Sequence, residues 1–305
     1  MTDSPAESFQ IALERRARAV ESLLDVLLDG RAKNGEIVRP PRLLAAMRHG
    51  VLNGGKRLRP FLVLESAALF GADGQPALRV AAALECVHCY SLIHDDLPAM
   101  DDDDLRRGQP TVHKAFNEAT AILAGDSLLT YAFDIIAAPE TDLRNDRKVE
   151  LILGLARAAG IGGMAGGQAL DLAAEHERPD ETGIVTLQAM KTGALIRFAC
   201  EAGAILGKAE AAERERLAEF GSAVGLAFQL ADDLLDLTGD AASVGKATGK
   251  DADRGKATLA GLNGLDWTTR QLAGLVGQAS DLLAPFGGKA DLLREAARFA
   301  AERRN

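Results

Sequence analysis

The sequence predicts an all-α protein built as a single large helical domain over residues 1–305. Three observations lead there. Ala and Leu dominate, with Arg and Glu adding further helix formers, while aromatic residues make up only 4%, so strong helix formers outnumber the β-branched and aromatic residues that fill strands. Apolar residues recur with helical spacing almost throughout, and the interruptions fall at Gly and Pro clusters. No linker rich in Pro, Ser or Gly divides the chain and no fixed-period repeat runs through it. With 305 residues, 47% of them hydrophobic, one substantial core can be buried.

The periodicity predicts helices over about 6–29, 41–52, 59–70, 75–97, 118–138, 146–175, 181–206, 210–237, 266–284 and 289–302. Asn34-Gly35 and Arg39-Pro40-Pro41 separate the first two, Gly71-Ala72-Asp73-Gly74 precedes 75–97, and Gly287-Gly288 precedes the last. Helices 75–97 and 210–237 stand out for length and apolarity, and each ends in carboxylates. Acidic residues belong at helix N-termini, because the C-terminal end of the dipole is already negative. Acids crowded at the wrong end cost free energy unless a cation binds there, and such local violations mark functional sites.

The first cluster reads His94-Asp95-Asp96-Leu97-Pro98-Ala99-Met100-Asp101-Asp102-Asp103-Asp104, the second Gln229-Leu230-Ala231-Asp232-Asp233-Leu234-Leu235-Asp236. Asp232 and Asp236, four apart, project from one helix face. Asp95 and Asp101 are six apart, but Pro98 between them disturbs regular hydrogen bonding, and a deformed segment would return Asp101 to the face of Asp95. Repelling carboxylates stay ionised when a divalent cation holds them, and oxygen-only ligation suits Mg²⁺. The plainer reading of either cluster alone is a solvated acidic helix end. A calcium loop fails on register: counting from Asp101, the sixth position is Arg106 rather than Gly and the twelfth is Val112 rather than Glu.

Cations accompany the acids. Gly54-Gly55-Lys56-Arg57-Leu58-Arg59-Pro60 places three cations behind two glycines, which allow close approach of backbone to an anion. Arg106-Arg107-Gly108 follows the first acidic cluster directly, and His88 lies seven residues before Asp95 on nearly the same helix face. Gly166-Gly167-Gln168 is followed by Asp171, and Lys191-Thr192-Gly193 puts an ammonium and a hydroxyl together within a helical stretch. The Gly- and Lys-rich segment carrying Lys246, Lys250 and Lys256 reads as a phosphate-binding loop. It is no nucleotide P-loop, since neither Gly245-Lys246 nor Gly255-Lys256 is followed by Ser or Thr. Cys86, Cys89 and Cys200 read as packed helix cysteines, neither a disulfide framework nor a zinc site.

Net charge is -9 without a basic tail, which argues against a nucleic-acid partner. The N-terminus lacks the charge pattern of a signal peptide, and no apolar run is read as approaching transmembrane length. These readings predict a cytoplasmic protein without membrane insertion.

Taken in order from about Asn53 to Thr258, these motifs resemble the trans-isoprenyl diphosphate synthase family, in particular its bacterial farnesyl-forming branch. Ala124-Gly125-Asp126, Gly167-Gln168-Ala169-Leu170-Asp171 and Phe228-Gln229-Leu230-Ala231-Asp232-Asp233 add to the likeness. The resemblance implies helices around a central active-site cavity, a homodimer, and Mg²⁺ as cofactor. It implies a prenyltransferase that condenses dimethylallyl or geranyl diphosphate with isopentenyl diphosphate, mainly to fifteen-carbon farnesyl diphosphate. Asp95, Asp101 and Asp232 would bind Mg²⁺, with Asp96 and Asp236 completing the clusters. Lys56, Arg59, His88 and Arg107 would hold isopentenyl diphosphate. Arg106, Lys191, Lys246 and Lys256 would contact the allylic diphosphate, and Thr192 and Gln229 would flank its reacting end. After Lys256-Ala257-Thr258 the family often continues Tyr-Pro, where this chain has Leu259-Ala260.

Tyr90 lies five residues before Asp95, about 7.5 Å along the helix, where the resemblance implies a floor that stops a growing tail; Ser91 is too small to block it. A geranylgeranyl-forming synthase is the alternative within the family. A terpene cyclase would leave Lys56, Arg59, His88 and Arg107 unexplained, and a non-catalytic regulatory subunit would have no need of both complete clusters.

Overall fold

The computed structural model describes residues 5–238 and 258–302. They fall into two compact units, residues 10–64 with 73–152, and the described residues of 1–9, 65–72 and 153–305. Among the described residues the protein is helical apart from one hairpin of two-residue strands.

The first unit holds most of α1 (Pro5–Leu27), then α2 (Pro41–Leu52), the start of α3 (Leu58–Ala68), α4 (Gln75–Asp95), the hairpin β1 (Leu105–Arg106) and β2 (Gln109–Pro110), the short α5 (Val112–Ala115), α6 (Glu118–Ala137) and the start of α7 (Asn145–Ala159). Helix α4 is its centre. The run Val80-Ala81-Ala82-Ala83-Leu84 is buried on every side, as expected of a helix apolar all round. Its small residues let α6 pack closely against it. The Asn117 side chain accepts from the Thr120 amide at 2.8 Å and so caps the start of α6.

The second unit contains α8 (Met164–Ala173), α9 (Glu181–Gln188), a π-helical turn at Ala189–Gly193, α10 (Ala194–Leu206), α11 (Ala211–Thr238), α12 (Leu259–Asn263), α13 (Leu265–Leu282), a 3₁₀ turn at Ala284–Ala290 and α14 (Asp291–Ala301). Helix α10 is buried along Leu195, Ile196, Phe198, Ala199 and Cys200 and packs against α11. Ile184, Ala227, Leu230, Ala231, Leu259 and Leu272 form one apolar cluster, so Leu259 seats α12 on α11.

Four features depart from the sequence reading. The helix expected over 146–175 stops at Ala159 and resumes at Met164, because the glycines around Ile161 leave no side chains to hold the turns together; Ile161 is 93% exposed. The helix expected over 181–206 is continuous but contains the π turn. The hairpin, α5 and α12 were not anticipated. Finally, Gln75–Asp95, Glu118–Ala137 and the stretch Asn145–Ala173 are each long and apolar enough, by length and composition alone, to cross a membrane, which corrects the expectation of no such run. In Gln75–Asp95 the apolar residues serve the core, with 67% of the window buried within the protein.

Candidate active site

At the end of α4 the chain makes the deformation that Pro98 implied. The Asp101 amide donates to the Asp95 carbonyl at 2.8 Å, the Asp102 amide to Leu97 at 3.1 Å and the Asp103 amide to Asp96 at 3.2 Å. The six-residue separation of Asp95 and Asp101 is thereby closed in space, and both offer only carboxylate oxygens, the donor type that suits Mg²⁺. Asp96 turns the other way. It is buried, and Arg106 donates to both its oxygens, Nε at 2.7 and 3.0 Å and Nη2 at 2.5 Å. Burial pushes the Asp96 carboxyl up, opposed by Arg106; burial also works against the Arg106 charge, but the Asp96 carboxylate holds it above its ordinary value. Both of the Asp96 oxygens thus engage a guanidinium.

The loop after α2 meets Arg107. Gly54 accepts from Arg107 Nη1, and Gly55 has φ +124°. That backbone conformation favours glycine, and a Cβ there would lie 2.6–2.7 Å from the Arg107 guanidinium and displace it. Lys56 is exposed, while Arg59 is partly buried. His88 is held well below its ordinary pKa, first by burial and then by Arg59, Arg107, Arg57 and Arg106. A neutral imidazole among four guanidiniums is an environment prepared for an anion. A shallow hollow open to solvent lies beside Arg106 and Arg107, lined also by His49, Asn53, Asp96 and Thr111.

Asp102, Asp104 and His113 also gather, their ligand atoms within 4.8 Å of one another. Lys114 already pairs with Asp104 at 2.8 Å, and Thr111 lies 3.1 Å from His113 Nδ1.

In the second unit the π turn organises the site. Gly167 brings α8 so close that a Cβ there would stand 2.2 Å from the Lys191 nitrogen, and a Cβ on Gly225 would stand 2.9 Å from the Gly193 Cα. With the backbones this close, Lys191 Nζ reaches Asp171 at 2.8 Å and the Thr192 hydroxyl donates to Gln229 Oε1 at 3.1 Å. Gln229 Nε2 and Gln188 Nε2 both donate to the buried Asp233, each at 3.0 Å. These bonds fix the Gln229 amide with its oxygen toward Thr192. Asp232 and Asp236 lie one turn apart on α11, both partly buried. Single π turns are frequent at functional sites, because the extra residue re-aims side chains within a continuous helix.

Neither side-chain amide atom of Gln168, both buried, has a hydrogen-bond partner among the described residues. Leaving such a group unpaired costs about 1–3 kcal/mol. Lys246 and Lys256 lie outside the described residues. Tyr90 meets the edge of His94 at 5.8 Å between ring centres, and Ser91 donates to the His88 carbonyl at 2.9 Å. Cys86, Cys89 and Cys200 are buried free thiols, with burial pushing Cys89 and Cys200 to about 12. The sequence reading gave no role to Gln168, Asp171, Gln188 or Asp233, although all but Gln188 sit inside motifs already singled out.

The polyprenyl synthetase family model matches residues 40–281. The chain belongs to that family. The chain is 46% identical over 247 residues to the farnesyl diphosphate synthase of Escherichia coli, covering 79% of this chain and 81% of that one. It is 37% identical to geranylgeranyl pyrophosphate synthase 9, chloroplastic, of Arabidopsis thaliana, covering 99% of this chain and 84% of the other. Its fold matches the apo crystal structure of an FPP/GFPP synthase from Zymomonas mobilis with a TM-score of 0.85 at 44% identity, over 96% of this chain and 99% of the other.

Proposed function

We propose that this polyprenyl synthetase family member condenses dimethylallyl and geranyl diphosphates head to tail with isopentenyl diphosphate, giving mainly farnesyl diphosphate and releasing diphosphate. The carrying observation is the segment Asp95–Arg107. There a tight turn that bonds the Asp101 amide to the Asp95 carbonyl gives way to two guanidiniums, one fixed by Asp96 and one by Gly54.

In this reading Lys56, Arg59, Arg107 and neutral His88 hold isopentenyl diphosphate, while Arg106 and Lys191, with Lys246 and Lys256, hold the allylic diphosphate. Asp95, Asp101, Asp232 and Asp236 would hold Mg²⁺, which when bound neutralises diphosphate charge and eases its departure. Asp96 serves by fixing Arg106. Thr192 gives its only hydroxyl proton to Gln229, so its remaining lone pairs are free to face positive charge developing on the allylic fragment. The double bond of isopentenyl diphosphate attacks that fragment, and the proton then lost goes to the departing diphosphate. No protein nucleophile is required. Both units serve this one activity as a single domain, acting in the cytoplasm on water-soluble substrates.

Incubation with dimethylallyl and labelled isopentenyl diphosphates, followed by sizing of the products, tests the reading. Fifteen-carbon product is expected; no incorporation of label contradicts it. Mainly twenty-carbon product would favour the second reading, for which the Arabidopsis relative speaks. We also propose a homodimer, supported by exposed Ile122 and Leu123 on α6, an apolar helix with only 39% of its window buried within the chain. Sedimentation should give twice the 32.1 kDa mass of the chain; a monomer at micromolar concentration contradicts it.

A further inference from the structure

Arg57 stands between Lys56 and Arg59 but does not share their surroundings. Its side chain is fully buried, yet it is charged and triply bonded. Nη1 donates to Glu85 on α4 at 2.5 Å, Nη2 to the Val51 carbonyl at the end of α2 at 2.6 Å, and Nε to Glu21 on α1 at 3.2 Å. Glu85 is itself 2% exposed within the most apolar part of α4. Nearby charge, Glu85 foremost, holds the guanidinium charged against its burial.

A buried ion pair is a poor device for stability alone, since well-packed apolar residues of similar volume commonly do as well. The backbone suggests what this pair does. Gly54, Gly55 and Arg57 all have positive φ, +72°, +124° and +51°. For a residue with a Cβ that conformation costs about 1–3 kcal/mol and persists only where the surroundings over-determine it. Three bonds to three helices do so here. The same turn receives the Arg107 guanidinium at Gly54 and Gly55.

We propose that Arg57, clamped by Glu85, is a positioning residue for the isopentenyl diphosphate cradle. It locks the left-handed turn that sets Lys56, Arg59 and Arg107 for one diphosphate and does not touch that diphosphate itself. The inference rests on the proposed function and extends it to a pair outside the substrate contacts.

Arg57→Met alone strands the Glu85 carboxylate in the core, so the decisive protein is Arg57→Met/Glu85→Leu. Glu85→Gln, which keeps the shape and removes the charge, is measured alongside it. The Michaelis constants for both substrates and the melting temperature are read for each. A rise of at least about tenfold in the constant for isopentenyl diphosphate is expected in the double variant, and a smaller rise in Glu85→Gln. The allylic constant should stay within about twofold in both, which a merely structural role would not produce. A wild-type constant for isopentenyl diphosphate in folded double variant overturns the inference, as does an equal rise in both constants. If the double variant does not fold, an unchanged constant in Glu85→Gln overturns it and a selective rise supports it. Wild-type protein that consumes no isopentenyl diphosphate overturns the functional reading, and the inference with it.

Discussion

His88 is neutral because burial and the neighbouring guanidiniums disfavour its protonated form, and that carries a pH signature. Its folded pKa lies well below the ordinary 6.5, so between those values the unfolded chain binds a proton that the native protein does not. Stability from this group is therefore fully present above pH 6.5 and is lost as pH falls below it. His88→Gln should remove that part of the acid-side loss, at most about 1.4 kcal/mol per pH unit. Urea midpoints at pH 5.5 and 7.5 check it; equal losses in both proteins would contradict the assignment. Tyr90 carries the other residue-scale prediction. As the floor beneath a tail anchored near Asp95, its replacement in Tyr90→Ala should shift products to twenty carbons or longer with the metal requirement unchanged. Product sizing by chromatography decides, and a variant that still stops at fifteen shows that Tyr90 is not the ruler.

Among the elements, the π turn Ala189–Gly193 controls whether Thr192 faces Gln229, and Gly225 sets the distance. Gly225→Ala would force a methyl against the Gly193 Cα, moving α11 from the turn. We expect a loss of about 1–3 kcal/mol in urea unfolding and a fall in kcat of roughly tenfold or more. A variant with wild-type kcat would show that the Thr192–Gln229 contact is incidental. Much of this architecture is legible in the sequence: helical periodicity locates the long helices, and acids at the ends of α4 and α11 mark the site. The π turn is not, because one inserted residue inside a continuous helical pattern barely disturbs its period. Nor is the hairpin, whose strands Leu105–Arg106 and Gln109–Pro110 are too short to show alternation. Arg57 is grouped by its motif with Lys56 and Arg59 and no motif marks Glu85, so their pairing shows only once their burial is seen, since charged residues are almost never fully buried unless paired.

For the whole molecule, the candidate residues are divided between the two units. The first supplies Asp95 and Asp101 with the cationic loop and Arg106-Arg107; the second supplies Asp232 and Asp236 with Lys191, Thr192 and Gln229. The proposed reaction needs both, because neither acidic pair alone accounts for a charge-neutralised diphosphate together with stabilisation of the cation it leaves behind. Turnover of Asp95→Ala and Asp232→Ala with Mg²⁺ present, each compared with wild type and checked for folding by circular dichroism, tests this most directly. The account predicts that wild-type activity vanishes in chelator and returns with Mg²⁺, and that each folded variant is slower by at least about a hundredfold. Full activity in either folded variant would contradict it.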